Sequence, residues 1–403
     1  MTLGHGERPL RLGGAGPRGD ETLRLARGGR GWAGIGRLPV TYAPRPSDSC
    51  NRTEKFLKFR HRPPHEEQRL RWRPLDAAAT LPVPTFADVL AAAAAIRPHL
   101  SPTPLLRHPL LERACGTEVW VKHENHQPTG AFKVRGGVNL VSRLDPAERE
   151  RGIIGASTGN HGQSLAWAAH RFGVRAVICV PKGANPVKAE AIRSWGAELV
   201  EHGRDFDEAR EHCEALAAAH GYRYVHSGDE PLLIAGVATE TLEIVEARPD
   251  IDVVVVPVGG GSGAAGACVV ARALGGSVEV IGVQSEAAPA AYRSWQAHRL
   301  VEDRMGTAAE GLATRTAFAL PQRILWEHLD DFLLVGEDDL ERATLLMLET
   351  TRNLVEPAGA ASVAAVLRHP ARFAGRRVAV VCSGGNLAPA QLAALLRRNP
   401  VEA

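Results

Sequence analysis

The segment Gln127-Pro128-Thr129-Gly130-Ala131-Phe132-Lys133-Val134-Arg135-Gly136-Gly137 puts a lysine straight after a Pro-Thr-Gly turn, between two apolar side chains, at the first turn of an expected helix. Lysine ordinarily stays in water. Flanked by Phe132 and Val134, this one either snorkels to the surface or is kept for its amine. A desolvated amine loses proton affinity and can form a Schiff base with an aldehyde. Taken alone, a surface lysine at a helix start is the simpler reading. Two distant glycine-rich loops reverse it.

The first loop follows the run Ile251-Asp252-Val253-Val254-Val255-Val256-Pro257-Val258 and reads Gly259-Gly260-Gly261-Ser262-Gly263-Ala264-Ala265-Gly266. A continuous β-branched run predicts a strand buried on both faces, as in a parallel sheet. It empties into glycines and then a helix-forming stretch. Strand, glycine turn and helix N-terminus make an anion site, because free N–H groups and the helix dipole face the ligand. A tight turn is the bland alternative, but four glycines in five residues exceed what a turn needs. The same loop fits G-x-G-x-x-G from Gly261 to Gly266, with Glu286 about 20 residues on, which is the dinucleotide fingerprint. That match is a single weak motif. It falls late in the chain and gives Lys133 no role.

A second loop, Cys382-Ser383-Gly384-Gly385-Asn386, follows the apolar run Val378-Ala379-Val380-Val381. A third unit is Ile153-Ile154-Gly155-Ala156 leading into Ser157-Thr158-Gly159-Asn160-His161-Gly162, with a helix expected from Leu165 to Arg171. In open α/β sheets, ligands bind where strand C-termini meet helix N-termini. Three such loops and one buried-looking lysine describe a site for a small phosphorylated ligand and a second anion.

In order and spacing these four segments resemble the serine/threonine dehydratase family. These are pyridoxal-phosphate enzymes of fold type II, related to serine racemase. The likeness spans residues 82 to 398. It implies two open parallel-sheet α/β subdomains with the cofactor between them. Residue by residue, it implies that Lys133 is the Schiff-base lysine and later the base that removes the α-proton. Phe132 would pack near the cofactor ring. Gly259, Gly260, Gly261, Ser262 and Gly263 would form the phosphate cup. Asn160 would hydrogen-bond the phenolic oxygen. Ser157, Thr158, Gly159, Asn160 and His161 would receive the substrate carboxylate. Ser383 would face the pyridine nitrogen. A hydroxyl there leaves the ring nitrogen largely neutral, so the cofactor is a weaker electron sink. That suits prompt loss of a β-leaving group, helped by the cofactor phosphate, better than transamination.

Some positions depart from the pattern. Ala131 stands where many members have serine. Thr158 stands where the racemases have a serine that reprotonates the opposite face. The racemase metal site needs carboxylates where this chain has Gln284 and Ala290, and Glu286 is off register, so no divalent metal is expected. Monovalent cations stay open.

The composition agrees. With 403 residues, 44% apolar and 23% charged, the chain suits a globular protein with a sizeable core. Residues 1–78 hold 16 of the 48 Lys+Arg and 8 of the 45 Asp+Glu, so the formal charge of +3 comes from the N-terminal segment. A body that is not basic argues against nucleic-acid binding. Cys50, Cys115, Cys179, Cys213, Cys268 and Cys382 form no C-x-x-C pair, which fits a reducing cytoplasm. The sixteen histidines show no H-E-x-x-H spacing. The uncharged run from Val253 to Ala271 is long enough to span a bilayer, but proline and glycines interrupt it. No signal-peptide core follows the initial charges.

The elements that position these residues alternate between strand and helix, which argues a parallel sheet with crossover helices. Residues 1–80, rich in Arg, Gly and Pro, read as a disordered basic extension or an upstream reading-frame product. A genuine basic arm is the other reading. Residues 81–149 with 229–403 are expected to form a large cofactor-binding subdomain, and 150–228 a small one. No appended C-terminal regulatory domain is expected. The functional expectation is a cytoplasmic, pyridoxal-phosphate-dependent ammonia-lyase, a homo-oligomer and a dimer by resemblance. It would take an amino-acid substrate, L-threonine or L-serine first. The alternatives are a racemase or β-replacement enzyme on the same fold, an NAD-dependent dehydrogenase, and a non-enzymatic cofactor-binding regulator.

Overall fold

Why a valine run ends in a glycine turn becomes clear from the sheet that surrounds it. The structure is a computed structural model and describes residues 80–399, all within the unit Glu66–Ala403. The expectation for the basic extension falls almost wholly outside the described residues, as does Cys50. The chain opens with α1 (Phe86–Ile96), β1 (Leu105–Arg107), α2 (Pro109–Cys115), β2 (Glu118–His123) and α3 (Lys133–Ser142). Next come α4 (Pro146–Arg151), β3 (Ile153–Ala156), α5 (Asn160–Phe172), β4 (Ala176–Val180), α6 (Pro186–Ser194), β5 (Glu198–Glu201), α7 (Phe206–His220) and β6 (Arg223–Tyr224). Then α8 (Pro231–Ala247), β7 (Val253–Pro257), α9 (Ser262–Ala273), β8 (Glu279–Ser285), α10 (Ala290–Ala297), α11 (Ala319–His328) and β9 (Asp331–Val335) follow. The chain ends with α12 (Glu337–Thr351), α13 (Pro357–Arg368), α14 (Pro370–Phe373), β10 (Arg377–Cys382) and α15 (Pro389–Arg398).

Six strands form one sheet in the order β1-β2-β10-β7-β8-β9, and four form another in the order β5-β4-β3-β6. All pairs are parallel except β1 with β2, an antiparallel edge that the sequence reading did not foresee. The β-branched run of β7 is buried on both sides. Val254 and Val256 join the core under α8, α9 and α11, while Val253 and Val255 join the core under α12 and α13. Such two-sided burial is why the run shows no polar alternation. In the four-stranded sheet, Ile153 and Ile178 pack with α3 and α5, and Ile154 and Val177 pack with α7.

Local chemistry sets the helix starts. Thr85 and Asp88 form a capping box at the start of α1. Helix α5 begins at Asn160, five residues earlier than expected, because Gly159 ends the loop and the Gln163 N–H already closes on the Gly159 carbonyl at 3.2 Å. Asn160 and His161 therefore sit in a helical first turn and not in a free loop. Residues 101–104 lead into β1, and β9 forms the other edge of the six-stranded sheet.

Candidate active site

The turn that precedes Lys133 is zipped to the loop after β10. Gly130 closes the Pro-Thr turn through its N–H to the Gln127 carbonyl, with φ of +67°. The Asn386 amide donates to the Thr129 carbonyl at 2.9 Å, and Gly385 N–H donates to the Gly130 carbonyl at 2.9 Å. Phe132 N–H donates to the Ser383 carbonyl at 3.1 Å. These bonds bring Ser383 beside the start of α3, although 250 residues separate Ser383 from Lys133 in the chain. The Ser383 hydroxyl has no hydrogen-bond partner among the described residues.

Lys133 points away from the helix it begins. Its Nζ donates to Ser262 Oγ at 2.8 Å and to the Ser227 carbonyl at 3.1 Å, and lies 5.3 Å from the centroid of the Phe132 ring. Burial lowers its pKa from 10.5 to about 8. Glu240 opposes that shift with the smaller effect, and burial pushes the Glu240 carboxyl itself well above its ordinary range. Neither Glu240 oxygen has a hydrogen-bond partner among the described residues. Desolvation therefore decides the state of Lys133.

The cup opens at the N-terminus of α9. Gly261 adopts φ of +87°, a left-handed conformation that favours glycine, and supplies no side-chain cap. Hydrogen bonding in α9 begins with Ala265 N–H to the Gly261 carbonyl at 2.9 Å. The N–H groups before it face the loop, as at any uncapped helix start. Gly263 lies against the Phe132 ring, 3.3 Å from where a Cβ would sit. Gly259 has no such room, because an added Cβ would meet the Gly311 carbonyl.

The third loop contributes a second uncapped helix start. Ser157, Thr158, Gly159 and Asn160 are half-buried, and an added Cβ on Gly159 would meet nothing within 4 Å. Ser157 Oγ accepts from Gly159 N–H at 3.2 Å. The Asn160 amide donates to Glu356 at 2.7 Å and accepts from Asn386 at 2.7 Å, which fixes its orientation. Burial raises the Glu356 pKa. His161 is buried with its Nδ1 unpartnered among the described residues, and burial lowers its pKa to about 3, so it is a neutral imidazole.

Every residue that the resemblance assigns to cofactor or substrate thus lies at the C-terminal ends of β3, β7 and β10 or at the start of α3. Several participants gave no local signal. Glu356 reaches Asn160 across 196 residues, and Asn386, legible only as part of its glycine turn, reaches it across 226. The Ser227 carbonyl reaches Lys133 across 94. The ion pair Lys188–Glu310 stands beside Glu356. Arg135, two residues past Lys133, points to the opposite side of α3. It is wholly buried, forks onto Glu124 at 2.7 and 2.8 Å and meets Glu243 at 2.7 and 2.8 Å. Gln284 spends its amide on Tyr292 N–H at 3.0 Å and Thr314 Oγ1 at 3.4 Å. Among the described residues no three His, Cys, Asp or Glu side chains are grouped to hold a metal, and no helix is long and apolar enough to cross a membrane.

Residues 96–384 match the model of the family described as pyridoxal-phosphate dependent enzyme. An L-threonine ammonia-lyase of Thermotoga maritima is 38% identical over 75% of this chain and 76% of its own. An L-threo-3-hydroxyaspartate ammonia-lyase of Saccharomyces cerevisiae is 32% identical over 78% of this chain and 97% of its own. The crystal structure of a serine racemase from Dictyostelium discoideum superposes with a TM-score of 0.72 at 31% identity, covering 76% and 99% of the two chains. The donor set fits such a cofactor: a depressed amine for its aldehyde, uncapped amide N–H groups for its phosphate, and a free hydroxyl and an oriented amide for its ring heteroatoms.

Proposed function

The chain belongs to the pyridoxal-phosphate-dependent enzyme family, and on that premise we propose that it is an ammonia-lyase converting a β-hydroxy amino acid to a 2-oxo acid and ammonia. The observation that carries this reading is the desolvated Lys133 amine, 2.8 Å from Ser262 at an uncapped helix start. L-Threonine and L-serine are the first substrates, with 3-hydroxyaspartate next, in keeping with the names of the relatives. The bound cofactor supplies an electron sink that makes the substrate's α-proton removable.

Lys133 would hold that cofactor through its amine and, once released from it, would take the substrate's α-proton. The N–H groups of residues 259–263, with Ser262 Oγ, would hold its phosphate. Asn160, oriented by Glu356 and Asn386, would serve its phenolic oxygen, and Phe132 would pack on its ring. Ser383 would offer its ring nitrogen a hydroxyl, which supports no full positive charge there. The first turn of α5, residues 157–161, receives the substrate carboxylate, His161 through its backbone since its imidazole is buried and neutral. Residues 150–228, with the four-stranded sheet, form the small subdomain, and 81–149 with 229–403 the large one, the cofactor lying between. Action in the cytoplasm as a homo-oligomer, a dimer, belongs to the same proposal. The five described cysteines, all buried and free, suit a reducing compartment.

Lys133 also sets a pH dependence. Only the neutral amine attacks an aldehyde, and its fraction grows as pH rises through the pKa. Covalent capture of pyridoxal phosphate by the cofactor-free protein is therefore expected to speed up with pH and level off above about 8. Stopped-flow absorbance across pH 6 to 10 measures it (roughly the range between ordinary histidine and lysine values). A rate still climbing at the top of that range would mean an ordinary, solvated lysine.

A racemase is the second reading, favoured by the fold likeness to serine racemase. It needs a proton donor opposite Lys133. Thr158 stands where the donor serine is expected, and its extra methyl restricts χ1. A misplacement of about 1 Å costs on the order of 100-fold in rate. Elimination is thus expected to exceed racemisation by a wide margin. Chiral chromatography with ammonia measured in parallel tests this, and D-isomer forming as fast as ammonia would put the racemase first.

A further inference from the structure

Two glycines on different loops owe their identity to one phenylalanine. An added Cβ on Gly228 would have its three nearest atoms, from 2.2 to 3.1 Å away, in the Phe318 ring. On Gly260 the three nearest, from 2.1 to 3.2 Å, belong to the same ring. Neither glycine has a positive φ, so backbone conformation does not demand glycine at either place. Close approach of an aromatic face does. The ring also meets His226 edge-on, with centroids 4.8 Å apart.

The two loops that Phe318 touches are those that hold the Lys133 amine. Gly228 follows Ser227, whose carbonyl accepts from Nζ, and Gly260 lies two residues before Ser262, whose hydroxyl accepts from Nζ. The rest of the turn is tied in as well. His226 Nδ1 accepts from the N–H groups of Gly228 at 3.2 Å and Asp229 at 2.8 Å. Asp229 in turn accepts from Leu320 N–H at 2.8 Å, two residues past Phe318. One ring therefore sits between the turn after β6 and the cup after β7 and is fastened to both. Nothing in the reaction uses Phe318 directly, and no local pattern in Thr316-Ala317-Phe318-Ala319 marks it.

We propose that Phe318 is a positioning residue that clamps these loops together, coupling the phosphate cup to the placement of the Lys133 amine. The inference rests on the cofactor reading above. Without the ring the Gly228 turn and the cup lose their common wall, and the N–H groups of residues 259–263 drift from a bound phosphate. Each charge-assisted hydrogen bond lost there corresponds to about tenfold or more in affinity.

The test reads cofactor affinity, not turnover. Cofactor-free wild type, Phe318→Ala, Phe318→Leu, Gly228→Ala and the double variant Gly228→Ala/Phe318→Ala are titrated with pyridoxal phosphate by absorbance. The apo melting temperature of each is recorded alongside. Phe318→Ala is expected to raise Kd about tenfold or more, with Phe318→Leu between it and wild type. Gly228→Ala is expected to weaken binding alone and to add nothing in the double variant, since the ring its methyl would meet is gone. If Phe318→Ala does not fold, Phe318→Leu and Gly228→Ala still decide. A Kd unchanged in Phe318→Ala or Phe318→Leu, whatever happens to the melting temperature, would make Phe318 an ordinary core side chain. Wild type that takes up no pyridoxal phosphate would instead overturn the cofactor reading, so the two failures stay distinct.

Discussion

Lys133→Ala is expected to lower turnover by at least about 10⁴-fold, the upper range of what one general base contributes, because this amine is both anchor and base. The absorbance of lysine-bound cofactor should vanish with it. The fold should survive. Among the described residues the Lys133 amine makes two hydrogen bonds, to Ser227 and Ser262, while Val134, Val138 and Val141 carry the packing of α3. Alanine is the best helix former at that first turn, and the change removes a desolvated cation. Circular dichroism and melting temperature separate lost chemistry from lost structure. Wild-type turnover in this variant would end the pyridoxal reading.

The second large effect lies on the opposite side of the same helix. Arg135→Met should destabilise the protein by about 3–5 kcal/mol, the cost of leaving buried charges unpaired. Arg135 is the main partner of Glu124, which is buried, and shares Glu243 with Lys122. The Glu124 carboxyl, held below its ordinary range chiefly by Arg135 against its own burial, would lose that partner and take up a proton. Adding Glu124→Gln to Arg135→Met should recover part of the loss, because the stranded charge is then gone. Urea unfolding measures both. A loss below about 1 kcal/mol in the single variant would show that the cluster contributes no more than an exposed ion pair.

The sequence made some features legible and hid others, for physical reasons. Lys133, the glycines of the cup and Ser383 stood out because a strand emptying into glycines is a local pattern, and each such loop carries its own geometry. The burial of β7 on both faces was readable from its unbroken β-branched run. The start of α5 was misplaced because Asn160, His161 and Gly162 are poor helix formers that the N-cap at Gly159 nonetheless recruits. The antiparallel β1 is three residues long, too short to show a period of two. Glu356, Ser227 and Phe318 were invisible because their roles exist only after distant segments meet, and Asn386 was legible as part of its turn but not as the partner of Asn160. Asn160 could be read as a candidate, but the carboxyl that orients it lies 196 residues away. The Glu240 carboxyl, buried without a partner, sits in a helix that reads as plain hydrophobic packing.

The central claim is that Lys133 and the loops around it remove ammonia from a β-hydroxy amino acid. The most direct measurement is the joint release of ammonia and 2-oxo acid by the pyridoxal-phosphate-loaded protein from L-threonine, L-serine and L-threo-3-hydroxyaspartate. The account predicts one ammonia per 2-oxo acid from at least one of the three, and neither product from the Lys133→Ala variant. A loaded wild-type protein that releases neither from any of them would contradict it.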